Sequence, residues 1–185
     1  MKILLILVSL LVLILLQACN TVQDEITQVV SDSTDVDGFY TLENGDFILK
    51  YKVVEHQFLQ CRISGNGTGW VAVGFDAHNM MQDVNLILGA VINGTGSIRD
   101  DFGTSQTSHA PDNSLGGTND VTLISAAETA DQTIIDFFIP LDSGDSKDRP
   151  LIIGNTYNVI LASGTDDDFS HIHSAVGSGL IRIRE

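Results

Sequence analysis

An all-β, antiparallel sandwich of nine to eleven strands is the fold this sequence predicts for residues 38–185, on three observations. Short runs of alternating apolar and polar residues recur along the chain. Clusters of Gly, Asn, Asp and Ser separate those runs. No helical period follows residue 20. With 185 residues in all, the chain is long enough for one domain with a sizeable core.

The first stretch stands outside that fold. Lys2 precedes Ile3 to Leu16, an apolar run broken by a single Ser, and the run ends in Leu16-Gln17-Ala18-Cys19. A positive start, an apolar centre and a small residue before a cut describe a secretory signal over residues 1–18, and the run is short for a membrane span. A Cys directly after the small residue resembles the lipobox of bacterial lipoproteins. That resemblance implies that Cys19 becomes an acylated N-terminus and holds the protein on a membrane, facing away from the cytoplasm. Asn20 is not the Asp that retains many lipoproteins at the inner membrane, which favours an outer membrane or cell surface. Residues 19–37 are rich in Asp, Ser, Thr, Val and Gln without a period and read as a flexible tether. Within it, Ser33 to Gly38 echoes a calcium loop. Asn44 stands where such a loop needs Glu, and helices do not flank it.

Strands then follow one another. Phe39 to Leu42 meets Asn44-Gly45, a strong hairpin signal. In Phe47 to Val54, Phe47, Leu49, Tyr51 and Val53 share one face. Glu55-His56 turns the chain into Gln57 to Ser64, where Leu59, Cys61 and Ile63 share a face. After a Gly-rich loop comes Gly69 to Phe75, a buried strand with one Trp, alternating Val, and glycines that let a backbone or a flat ligand approach. Met80-Met81 follow, then the strand Val84 to Ile92 and the strand Ser97 to Phe102. Residues 103–119 read as a long loop containing His109. Val121 to Glu128, Gln132 to Pro140, Tyr157 to Ser163 and Leu180 to Arg184 complete the strands. His171-Ile172-His173 lies on the loop before the last of them.

Gly69-Trp70-Val71-Ala72-Val73-Gly74-Phe75, Met81, Asn85 and Gly89 together resemble the DOMON domains, the family named after the N-terminal domain of dopamine β-monooxygenase. Asp101-Phe102 and Pro140-Leu141-Asp142-Ser143-Gly144-Asp145 extend the resemblance over about residues 38–185. Asn85 departs from the usual Asp, and Ile139 stands where Arg is common. One branch of the family holds a b-type haem between a Met after the Trp strand and a His before the last strand, as in the haem domain of cellobiose dehydrogenase and the haem subunit of ethylbenzene dehydrogenase. The resemblance implies haem b as cofactor, with Met81 and His173 as axial ligands and Met80 and His171 as alternates. A His–His pair with Met as bystander stays open. Trp70, Phe75 and Val84 would pack near the haem or in the core behind it. A thioether and an imidazole leave iron six-coordinate, which suits single-electron transfer and not oxygen binding. The expected partner is an oxidoreductase or a membrane cytochrome.

Composition narrows the alternatives. The 24 acidic residues outnumber 9 basic ones, for a net charge of −15. That argues against nucleic acid and suits a cationic redox partner. With Cys19 acylated, Cys61 is left without a disulfide partner, and the C-x-x-C-H attachment is missing, so any haem is non-covalent. His78, His109, His171 and His173 could in principle gather zinc or copper, without a recognised spacing. Asp100-Asp101 and Asp166 to Asp168 read as solvated turn acids and not as a catalytic pair. Gly-x-Ser-x-Gly does not occur, and the chain reads as an electron carrier and not an enzyme. The other reading is a haem-free surface module for a carbohydrate or similar ligand, favoured by the shortage of bases for haem propionates. Only Arg62, Arg99 and Arg182 look placed to serve them.

Overall fold

A computed structural model describes residues 33–185. The predicted signal, Cys19 and most of the tether lie outside the described residues. The strands are β1 (Tyr40–Asn44), β2 (Phe47–Val54), β3 (Phe58–Asn66), β4 (Val71–Phe75), β5 (Asn85–Ile92), β6 (Thr95–Ser105), β7 (Ser108–Pro111), β8 (Thr122–Glu128), β9 (Gln132–Pro140), β10 (Thr156–Ser163) and β11 (Ala175–Arg182). One 3-10 turn, Asp112–Leu115, follows β7. They form two antiparallel sheets, ordered β1-β2-β3-β9-β8 and β11-β10-β4-β5-β6-β7. The expected all-β sandwich and its upper strand count are both present.

The alternation explains the core. Phe47, Leu49 and Tyr51 of β2 and Leu59, Cys61 and Ile63 of β3 are all buried. They meet Val71, Val73 and Phe75 of β4 and Ile87 of β5 from the other sheet. Glu55 and His56 both have φ of 54°, as the tight turn between β2 and β3 demands. The outer face of the five-stranded sheet is polar: Arg62 pairs with Asp136 at 2.6 Å. The chain reaches this face first. Asp35 accepts from Lys50 at 2.8 Å, and Phe39 lies under the Lys52 ammonium and the Arg62 guanidinium. The Lys50 bond and the Phe39 amide hold the Asp35 carboxyl down to about 2.

Two expectations are corrected. Residues 103–119 are not a long loop, because β6 runs on to Ser105 and turns back as β7, which pairs His109 with Gly103. The Gly, Ser and Thr content hid a hairpin. Asp100 and Asp101 are not solvated, since both lie on β6 with 2% and 0% exposure. Being adjacent on a strand, they point to opposite sides of the sheet.

Candidate functional site

The six-stranded sheet departs from the usual pattern on its outer face, where a sandwich is normally polar. The side chains that alternate with the core set are apolar too: Trp70 and Ala72 at β4, and Leu86, Leu88 and Ala90 of β5. With Val84 and Phe169 they form a second buried cluster, bordered by Ala77, Met81, Ile160 and Ala162. Small residues keep this floor shallow. At Gly74 a Cβ would come within 2.7–2.8 Å of Leu86, Val84 and Ile160.

Two loops border the floor. The loop after β10, residues 164–174, is clamped to Trp70: the Trp70 amide donates to Asp166 O and the Gly164 amide to Trp70 O, each at 2.9 Å. Gly164 is required there, because a Cβ would run into the indole. Phe169 of this loop caps the floor, and burial of such a ring contributes about 2 kcal/mol. The indole Nε1 is buried and has no hydrogen-bond partner. The loop before β5 carries Met81. It sits on Gly103, where a Cβ would fall on the Met81 carbonyl, and the Met81 amide donates to Gln106 O at 3.4 Å. Met81 is half-buried against the floor, whereas Met80 is 59% exposed.

The histidines divide. His171 is exposed; its Nδ1 lies 2.8 Å from Asp166 and its Nε2 3.5 Å from Asp168. The hydrogen bond to Asp166, then the charges of Asp166 and Asp168, raise its pKa. Carboxylates therefore face both ring nitrogens of His171. His173 is exposed, next to Ser174, which bonds to Ser163 O through its amide at 2.7 Å. His78 bonds to Asp76 at 2.9 Å and Asn158 at 3.4 Å. The four histidines do not form a zinc or copper cluster among the described residues, where the grouping of metal-ligating side chains is Asp100, Asp120 and Asp148.

A third component, the joining of Arg99, Asp101 and His109, was not read from the sequence, although Arg99 was expected to serve an anionic edge. Arg99 and Asp101 pair across β5 and β6 with Leu88 and Leu86, which puts them beside the floor. Arg99 grips the fully buried Asp101 through two bonds of 2.6 and 2.7 Å, and His109 Nδ1 approaches the same carboxylate at 2.5 Å. Burial pushes the Asp101 pKa up, but His109 and Arg99 outweigh it and leave it lowered. The guanidinium also stands 5.0 Å from the centre of the Phe169 ring. The available signal was the spacing Arg-x-Asp on a strand, which places both side chains on one face.

A model of the DOMON domain matches residues 43–164. The chain belongs to the DOMON-domain family. Among solved structures, this DOMON domain is similar to the cytochrome domain of Myriococcum thermophilum cellobiose dehydrogenase. The TM-score is 0.62 at 12% identity, covering 85% of this chain and 89% of that one. It is also similar to the cytochrome b domain of pyranose dehydrogenase from Coprinopsis cinerea, with a TM-score of 0.58 at 14% identity over 84% and 86% of the two chains. At such identities the likeness establishes the fold. No curated protein matches the chain.

The residues of this DOMON domain fit a flat apolar cofactor. The floor is apolar with small residues at its centre, the half-buried thioether is at its border, and a buried indole N–H on it lacks an acceptor. Of the residues read from sequence, Trp70, Val84 and Met81 share this cluster, and the histidine loop is joined to it through Phe169 and Trp70. Phe75 is in the core between the sheets. Of the three arginines, Arg62 is on the other sheet with Asp136, Arg182 donates to the Gly154 carbonyl, and Arg99 alone borders the floor.

Proposed function

We propose that this DOMON domain binds a b-type haem on the outer face of the six-stranded sheet and serves in single-electron transfer. The observation that carries the proposal is that the Met81 loop and the histidine loop border one apolar floor outside the sandwich core. Met81 would supply a thioether and His173, with His171 as alternate, an imidazole. Held by these residues, a haem would supply a reversible one-electron couple. Ala72, Leu86, Leu88 and Ile160 exclude water from the floor, and Arg99 is placed to meet an anionic edge. That the two solved structures named above are cytochrome domains supports this reading.

The acidic chain would attract a cationic face on an oxidoreductase or membrane cytochrome. Cys19 would carry the lipid that keeps the domain on the envelope, outside the cytoplasm. Loss of labelled fatty acid on Cys19→Ser would be the matching result.

The test is an absorption spectrum of the exported protein, oxidised and then reduced with dithionite. A sharp reduced α-band weakened by Met81→Ala, and by His173→Ala or His171→Ala, is expected. A protein that stays colourless after haem titration overturns the reading. It would direct attention to a carbohydrate-binding module, which one observation favours: Arg99, the base beside the floor, is already neutralised by Asp101.

A further inference from the structure

At the end of the sandwich where β6 meets the loop before β8 and the loop after β9, four polar side chains converge. Asp100 alternates with Asp101 on β6 and so faces inward, opposite Ile87. Asp120 precedes β8, and its amide donates to Asp100 Oδ2 at 3.0 Å. Asp148 comes from the loop after β9. One carboxylate oxygen from each of these three lies within 4.8 Å of the other two. Asn85, which opens β5, donates its amide to Asp148 Oδ1 at 2.7 Å. Asp112, in the 3-10 turn, is close enough to feel the charge of Asp148 and Asp145.

Acidic clusters at a surface are common and imply nothing. Here the second observation is burial without donors. Asp100 Oδ1, Asn85 Oδ1 and both carboxylate oxygens of Asp112 are buried and have no hydrogen-bond partner. Their residues are 2%, 4% and 1% exposed. Native proteins rarely leave such acceptors unmatched. None of these buried oxygens accepts a bond from a neighbouring base: the Lys147 ammonium stands over the Phe102 ring, and Arg149 donates to the Asp83 carbonyl at 2.9 Å. Burial first, then repulsion from Asp148, pushes Asp100 to about 8 and Asp112 to about 7.

We propose that Asp100, Asp120 and Asp148, with the side chain of Asn85, bind one calcium ion. The donor set is oxygen only, which selects a hard cation over zinc or copper. Donors from four separate segments suit the loose coordination of calcium better than the strict octahedron of magnesium. The ion would knit the start of β5, β6 and both loops. Asn85 is four residues from Met81, so the ion would also stiffen the base of the loop that carries the thioether. The inference does not depend on haem.

The test uses the full chain, stripped with chelator, and measures bound metal and thermal unfolding with calcium, magnesium or zinc chloride. One calcium per chain is expected, with a melting temperature raised by several degrees at about 1 mM calcium and a smaller response to magnesium. Asp120→Asn, at a half-buried position, and Asp148→Asn should each weaken calcium binding by about tenfold or more. Asp131→Asn, an exposed acid elsewhere, should leave it unchanged. No bound calcium and no thermal shift in the folded wild-type protein overturns the proposal. So does an equal loss in Asp131→Asn, which would indicate diffuse attraction to an acidic surface.

Discussion

Replacing Asp101 by Asn tests the reading of the Arg99–Asp101–His109 network as a structural clamp beside the floor. The wild-type carboxylate is fully buried and receives three charge-assisted bonds, two from Arg99 and one from His109. Asn keeps one acceptor oxygen, places an amide where a second acceptor was, and removes the charge. Breaking a fully buried pair costs about 3–5 kcal/mol. Arg99 and His109 keep 32% and 21% of their side-chain exposure, so water recovers part of their loss. A net cost of about 2–4 kcal/mol follows. For a domain of this size that lowers the melting temperature by about 5–12 °C, measured by circular dichroism at pH 7. The pH dependence supplies a second check. The folded pKa of Asp101 lies below its ordinary value, so its contribution is complete above about pH 4 and is lost as pH falls through the folded value. The gap between wild type and Asp101→Asn should therefore narrow toward pH 3. A melting temperature within about 2 °C of wild type at pH 7, or a gap that does not change with pH, would refute the reasoning.

Three further outcomes are expected. Gly103→Ala drives a methyl into the Met81 carbonyl; the Met81 loop must move, at a cost of about 3 kcal/mol or more in chemical denaturation, and haem uptake should fall with it. Gly164→Ala displaces the 164–174 loop from the indole, so the single Trp70 should show red-shifted fluorescence without loss of the β-sheet signal. Met80→Ala, at an exposed position, should change stability by less than about 0.5 kcal/mol and leave a reduced haem spectrum intact, whereas Met81→Ala should alter both.

Much of this architecture was legible because a sheet with one buried face writes period two into the chain. Phe47, Leu49 and Tyr51 show it, and Asn44-Gly45 supplies the turn. The Trp strand stood out for the opposite reason: both of its faces are apolar, and the second is the floor beside Met81. The β6–β7 hairpin was not legible. Gly103 and the Ser and Thr around it carry no hydrophobic pattern, and their pairing is enforced by the Met81 loop seated on Gly103. The acids were misread because burial of Asp100 and Asp101 depends on Asp120 and His109, which arrive from other segments. Neighbouring letters cannot reveal a partner brought by topology. The choice between His171 and His173 is of the same kind, since both sit on one exposed loop.

The chain's path over Lys50, Lys52 and Phe39 sets a direction for the whole molecule. Asp35 to Phe39 lie on the outer side of the five-stranded sheet, while the apolar floor is on the outer side of the six-stranded sheet. The two broad sides look opposite ways, like the back and front of a shield. If the proposed lipid on Cys19 anchors the protein, the described chain meets its attachment at the back. A bulky visitor would then reach Met81 and the histidine loop from the front, away from the point of attachment.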